Sequence, residues 1–279
     1  MHPSQFVRLL VLLVLPGFPV MVTAQGRLIA VDSSRALFEI DMTTGAKTQI
    51  GTVSSNAGTT AGLAYDATLN TVYLTSTSTD SLYTLDLATG AATLVGAYGD
   101  STLVMHGLEF HSGNGTLYGG SSHNAGLYTI NTATGIATLV GTSGLSSFLN
   151  LGYNSDTGIM YASNSGTDSF YTINVSTGAV TLLGLLNGPT NPNGLAYNPD
   201  NQTMYLIDNT TDSLYTVNLA TGAATLVGSQ GAGNLLGLVY VAAVPEPTTY
   251  LLIAIGLGAA VVCSLRWKRR KDMSLRLAR

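Results

Sequence analysis

A fifteen-residue motif that returns along the chain decides what the chain can become. LYTLDLATGAATLVG, Leu82 to Gly96, has copies beginning at Leu37, Leu127, Phe170 and Leu214, and the turn glycines Gly45, Gly90, Gly135, Gly178 and Gly222 follow one another at steps of 45, 45, 43 and 44 residues. A period of that length marks propeller blades rather than the shorter coils of a solenoid.

Each copy has the chemistry of a hairpin. Before the turn, Tyr83, Leu85 and Leu87 fall on one face and Leu82, Thr84 and Asp86 on the other, the period-two pattern of a strand. The spacing predicts a three-residue loop, Ala88-Thr89-Gly90, whose last member takes a left-handed conformation that glycine adopts at little steric cost. Four residues before each glycine stands Asp41, Asp86, Asn131, Asn174 or Asn218, an acceptor for turn N–H groups. Asp and Asn alternate there, so charge is not what the position needs, and capping rather than a catalytic or metal role is its expected function.

Further strand-like runs complete each unit. GLAYD from Gly62, TVYLTST from Thr71, SLYTLDL from Ser81 and ATLVG from Ala92 give four strands, and the units opening at His106, Asn150 and Asn193 repeat that order. Four antiparallel strands in 40 to 45 residues make a propeller blade. The N-terminal unit has only RLIAVD, ALFEID and KTQIG, whereas LGLVY, Leu236 to Tyr240, is a first strand with nothing after it. The expected fold is therefore an all-β, five-bladed β-propeller, closed by the C-terminal strand joining the N-terminal blade so that no unpaired edge remains at the break. In GLAY, Leu63 and Tyr65 share one face and Gly62 and Ala64 the other, so bulky and slim sides alternate around the ring. Twelve of the fourteen tyrosines fall at repeat positions and read as packing residues with hydroxyls at the rims.

The two ends are of different character. Residues 1–24 carry Arg8, an apolar run and a Val22-Thr23-Ala24 small-residue site, the pattern of a signal peptide cleaved after Ala24. Residues 25–243 form the propeller. At the other end, Pro245, Glu246 and Pro247 lead into an apolar run from Tyr250 to Leu265, followed by Arg266, Lys268, Arg269, Arg270 and Lys271. With Thr248 and Thr249 that run reaches the length of a short membrane-spanning helix, and its basic flank belongs on the cytoplasmic side. Residues 244–271 are the anchor segment and 272–279 a basic cytoplasmic tail. Cys263 lies inside the apolar run, so the exported domain has no cysteine to oxidise.

The segment VPEPTTYLLIAIGLGAAVVCSLRWKRRK resembles the PEP-CTERM sorting signal: a Pro-Glu-Pro motif, a short transmembrane run and a basic cluster. The resemblance implies a Gram-negative bacterium, Sec export, an inner-membrane precursor and recognition by an exosortase through Pro245, Glu246 and Pro247. It also implies an outer-envelope or extracellular destination and an association with exopolysaccharide.

Charge narrows the partners. Between Gln25 and Val244 stand three bases, Arg27, Arg35 and Lys47, against eleven Asp and two Glu, which leaves a net charge of −10 and excludes nucleic acid. No G-x-S-x-G, H-E-x-x-H, P-loop or EF-hand pattern occurs. Blade three alone breaks the repeat with reactive side chains, His106, Glu109 and His111. The two histidines are an odd number of residues apart on one strand and cannot share a metal, while Glu109 and His111 make a poor pair on their own. No cofactor and no metal is expected, and the chain reads as a non-enzyme. For a ligand, aligned second strands place Asp32, Ser76, Ser121, Asn164 and Asp208 in a polar ring on one face, with His106, Asn150 and Asn193 beside it. Loop capping is the expected role of that ring. The alternative is a shallow hydroxyl- or calcium-binding site centred on Asp32 and Asp208, neighbours once the ring closes. The functional readings that follow are a non-enzymatic envelope module, a lectin-like saccharide or calcium binder, and a hydrolase or lyase at the channel mouth. Tyr98 and Phe148 are the aromatics outside the repeat that a sugar could stack on.

Overall fold

A computed structural model describes residues 25–145, 147 and 149–243. The expected signal peptide, Phe148, Cys263, Pro245 to Pro247 and the anchor segment lie outside the described residues. Gly26–Ala243 is one compact unit. Among the described residues no helix is long and apolar enough to cross a membrane.

Five four-stranded antiparallel sheets form the unit. The first blade has the order β20 (Leu235–Val241), β1 (Arg27–Asp32), β2 (Ala36–Ile40), β3 (Lys47–Thr52), so its inner strand comes from the far end of the domain. The other four are contiguous: β4 (Thr60–Asp66) to β7 (Ala92–Ala97), β8 (Met105–His111) to β11 (Ala137–Thr142), β12 (Leu149–Asn154) to β15 (Val180–Leu185), and β16 (Pro192–Asn198) to β19 (Ala224–Ser229). The strand LGLVY does close the first blade: Arg27 faces Val241, Leu28 faces Tyr240 and Ala30 faces Leu238 in one ladder.

Burial follows the bulky-against-slim pattern. Leu63 joins the apolar cluster between the first and second blades, while a Cβ on Gly62 would come within 2.9 Å of Leu108 Cβ in the third. Five such clusters fill the five seams. Each seam buries apolar side chains from two blades, so no blade completes its own core.

The hairpin turns correct the expected loop length. In the second blade Asp86 N–H donates to Ala91 O at 2.9 Å and Gly90 N–H to Asp86 O at 2.8 Å, so the reversal takes four residues, Leu87 to Gly90, rather than three. A single helical turn of backbone occupies Leu87 to Thr89, and Gly90 ends it with φ 74°. The acceptor does what its spacing implies: Asp86 Oδ1 takes Ala88 N–H at 2.8 Å and Thr89 N–H at 3.0 Å, and Asn131 Oδ1 takes Ala133 and Thr134 in the same way. These N–H groups hold the Asp86 carboxyl below the usual range and Asp41 at about 2. The turn glycine has a second task. A Cβ on Gly135 would lie 2.2 Å from Gly96 O of the preceding blade, and one on Gly96 2.0 Å from Thr134 O, so each turn seats against the outer strand of its neighbour.

One blade departs from the rest. In the other four, a bulge sets two inner-strand residues against one, as His106 and Gly107 stand opposite Gly120, and Asn193 and Gly194 opposite Ile207. The fourth blade has no such shift, and Asn150 pairs directly with Ser163. Asn150 is therefore not the equivalent of His106 and Asn193, as the aligned sequences suggested. It occupies the glycine position, and its Nδ2 spans the seam to Pro192 O at 2.8 Å.

Candidate functional site

Among the described residues, the five inner strands converge on the axis and leave no open channel between them. Gly62, Gly107, Asn150, Gly194 and Gly237 surround a void of about 10 Å³, room for one water at most. Backbone fills the rest: a Cβ on Gly107 would stand 2.1 Å from Leu149 O, and one on Gly237 2.2 Å from Ala61 O.

The polar ring of second-strand ends exists, and its members face inward. Ser76, Ser121, Asn164 and Asp208 are fully buried, and only Asp32 is partly exposed. Asp208 Oδ1 accepts Thr210 N–H at 3.1 Å, Thr211 N–H at 2.8 Å and Thr211 Oγ1 at 2.8 Å, while Oδ2 accepts Asn191 N–H at 2.6 Å. Asp32 Oδ1 accepts Ser34 N–H at 2.9 Å and Ala36 N–H at 2.8 Å, and Asn164 Oδ1 accepts Gly166 N–H at 3.0 Å. Asp32 is thus directed into its own loop, and Asp208 into its own loop and the loop before β16. Asn193 is buried too, donating to Asn191 O at 2.7 Å. Ring closure does bring the loops after Asp32 and Asp208 together, bridged by Asn234, which donates to Ser33 Oγ and accepts from Asn209 Nδ2.

Blade three keeps His106, Glu109 and His111 apart. His106 is the bulged residue near the axis, and burial lowers its pKa to about 4, so it is neutral. Glu109 takes the place of Ala64 and Ala196 on the side facing the fourth blade, where its Oε1 accepts Phe110 N–H at 3.0 Å and Tyr153 N–H also reaches the carboxyl. Desolvation outweighs these donors and pushes it up to about 8. His111 stacks on Tyr153 with ring centroids 4.0 Å apart. Among the described residues no group of three or more His, Cys, Asp or Glu is placed to hold a metal ion.

Two larger concavities lie on the hairpin rim. One, of about 540 Å³, is walled by the second blade and by Val241 of the first; the other, of about 560 Å³, belongs to the third blade. Neither follows from the type of any one residue: the first is a space between two repeats and the second a space within one. Tyr98, expected as an exposed aromatic, is instead 1% exposed, its hydroxyl donating to Ser81 O at 2.9 Å. It fills the seam at the foot of the loop between the second and third blades, together with Leu103 and Met105.

Residues 243–271 match the PEP-CTERM protein-sorting motif. The chain is thus an exported protein, membrane-anchored and then processed, recognised by an exosortase and carrying a five-bladed β-propeller. No curated protein matches the chain. Among solved structures, a chain of a nidogen/laminin complex is 14% identical, covering 77% of this chain and 98% of its own length with a TM-score of 0.56. A symmetrical protein from work on de novo evolutionary emergence is 19% identical, with 79% and 100% covered and a TM-score of 0.51. A protein of unknown function from Bacteroides thetaiotaomicron is 17% identical at a TM-score of 0.53, with 73% of this chain and 58% of that chain covered. At these identities the likeness shows the fold alone.

Proposed function

We propose that this chain is a propeller of the cell envelope or extracellular matrix, sorted by an exosortase, that acts as a non-enzymatic binding or structural module associated with exopolysaccharide. The observation that carries the reading is the sorting motif at 243–271, which begins two residues after the last strand ends at Val241. The precursor then hangs in the inner membrane with residues 272–279 in the cytoplasm, and processing delivers the propeller outward. The chemistry of the domain supports a module that binds rather than converts. Its buried carboxylate Asp208 is committed to donors of two loops, and among the described residues the inner strands enclose only a small void at the axis. Calcium is the weaker of the two lectin-like alternatives, because Asp32 and Asp208 already accept hydrogen bonds from their own turns.

The test has two arms in the producing cells. Replacing Pro245, Glu246 and Pro247 with alanine is expected to leave full-length precursor in the membrane fraction; unchanged maturation overturns the sorting route. The wild-type protein is expected to co-sediment with exopolysaccharide from the same cells, and its quantitative recovery in the supernatant overturns the polysaccharide association.

A further inference from the structure

The first blade differs from the others in having no inner hairpin, because β20 closes the domain where β1 opens it. At two other seams such a hairpin supplies a carboxylate to the tyrosine of the following inner strand. Tyr197 donates to Asp156 Oδ2 at 2.8 Å, and Tyr240 donates to Asp200 Oδ2. Tyr65 is the corresponding residue of the second blade, and the blade before it has no hairpin to offer. Its hydroxyl turns to Asn70 Oδ1 of its own blade at 2.9 Å, and its ring remains partly exposed while Tyr197 and Tyr240 are buried. The missing hairpin leaves the groove of about 540 Å³, whose walls include Tyr65, Asn70, Leu85, Asp86, Leu87 and Val241.

We infer that this groove at the first seam is a saccharide site that takes a neutral pyranose oligomer, an inference that rests on the reading of the domain as a polysaccharide-associated module. The size falls within the range of small-molecule sites, roughly 300 to 1,000 Å³. A pyranose has an apolar C–H face and a hydroxyl rim, and the groove offers counterparts to both. Leu85, Leu87 and Val241 supply an apolar wall, Tyr65 an accessible aromatic ring, and Asn70 and Asp86 polar groups at the edge. Asp86 stays charged, since the N–H groups of Thr89 and Ala88 hold its pKa down, and it accepts hydrogen bonds from hydroxyls. A domain with three bases against thirteen acids repels uronic or sulfated chains, which leaves neutral sugars. The third-blade groove is a natural contrast. It is about 560 Å³, yet among the described residues that line it none is aromatic and none comes from a neighbouring blade.

The full chain in detergent, titrated calorimetrically with cellotriose, maltotriose and chitotriose, is expected to bind at least one of them and not trigalacturonate. Tyr65→Ala should weaken that binding by roughly tenfold or more. Asn70→Gly, which suits the φ of 50° at that position and so keeps the turn, should weaken it as well. Thr132→Ala in the third-blade groove should leave it unchanged. Neutral trisaccharide binding that survives both Tyr65→Ala and Asn70→Gly places the site elsewhere and overturns the inference while the module reading stands. Preference for trigalacturonate, or co-sedimentation with exopolysaccharide without any trisaccharide binding, overturns the ligand class. Failure to bind either trisaccharides or exopolysaccharide removes the reading beneath it.

Discussion

In the four contiguous blades each inner strand is joined to the next by a short hairpin, so their pairing is local and fast to form. In the first blade β20 and β1 arrive from opposite ends of the domain, and the ladder between them must close a loop of some two hundred residues. The difference is visible in the side chains. Lys47 Nζ donates to Gly231 O at 3.0 Å and Ala232 O at 2.7 Å, gripping the segment that carries the chain from the fifth blade to β20. Asn234 links that segment to Ser33 and Asn209, and Arg27 pairs with Glu39 at 2.8 Å. All three bases of the domain stand in this one blade. The contiguous blades seat their turn glycines on their neighbours, a contact the first blade also has through Gly45 and Gly228, and add side-chain bonds such as Asn150 to Pro192 O and Tyr197 to Asp156. Where the covalent link is missing, polar side chains supply additional bonds.

The comparison is broken most severely by removing the joint. Deleting Leu235–Val241 exposes β1 and the apolar faces of two seams, and the remaining chain should show no cooperative thermal transition by circular dichroism. A sharp transition like that of the intact domain would mean that the ring does not depend on closure.

A second variant asks whether a contiguous seam is always the safer one. Glu109 replaces a small residue at the third seam, and its carboxyl is raised from 4.5 to about 8. A raised acid is stabilised in its neutral form, so its contribution is full below about pH 4.5 and declines as pH rises toward 8. Glu109→Gln should therefore flatten the stability profile across that window and gain a few kcal/mol at its alkaline end, measured by urea denaturation at several pH values. Parallel wild-type and variant profiles would place the carboxylate in water.

Asn234→Ala cuts two bridges at the closing joint and should cost about 1 to 2 kcal/mol in the same assay. Thr59→Ala, at the corresponding place before β4, should cost less, and equal losses would erase the distinction between the two kinds of blade. Smallest is Arg27→Met. The side chains of Arg27 and Glu39 are each 42% exposed, so the pair contributes at most about 1 kcal/mol, and the difference should vanish in molar salt.

The repeat made the architecture readable, because a motif that pairs glycine with a fixed acceptor leaves few ways to fold, and the orphan strand LGLVY announced its own partner. The site was less readable. Ser, Asn and Asp look alike in sequence whether they cap a loop or meet a ligand, and only burial shows that Asp208 and Asn164 turn inward. Asn150 was misaligned because a lost bulge shifts the register by one residue without changing the strand's composition. Tyr98 looked free because a connector reads as surface until its side chain is seen filling a seam. Tyr65 belongs to a repeat position and looked like packing; its exposure comes from what the preceding blade lacks.

The ladder between β1 and β20 also has a mechanical meaning. Arg27 and Val241 are paired at the same end of an antiparallel ladder, so a pull applied through the two ends of the domain loads its hydrogen bonds one after another. Such a joint unzips at low force, whereas the same ladder pulled lengthwise would have to fail all at once. A propeller tethered by one end alone carries no load across this joint. One held by both ends would open there first, at the rim where Tyr65 lies.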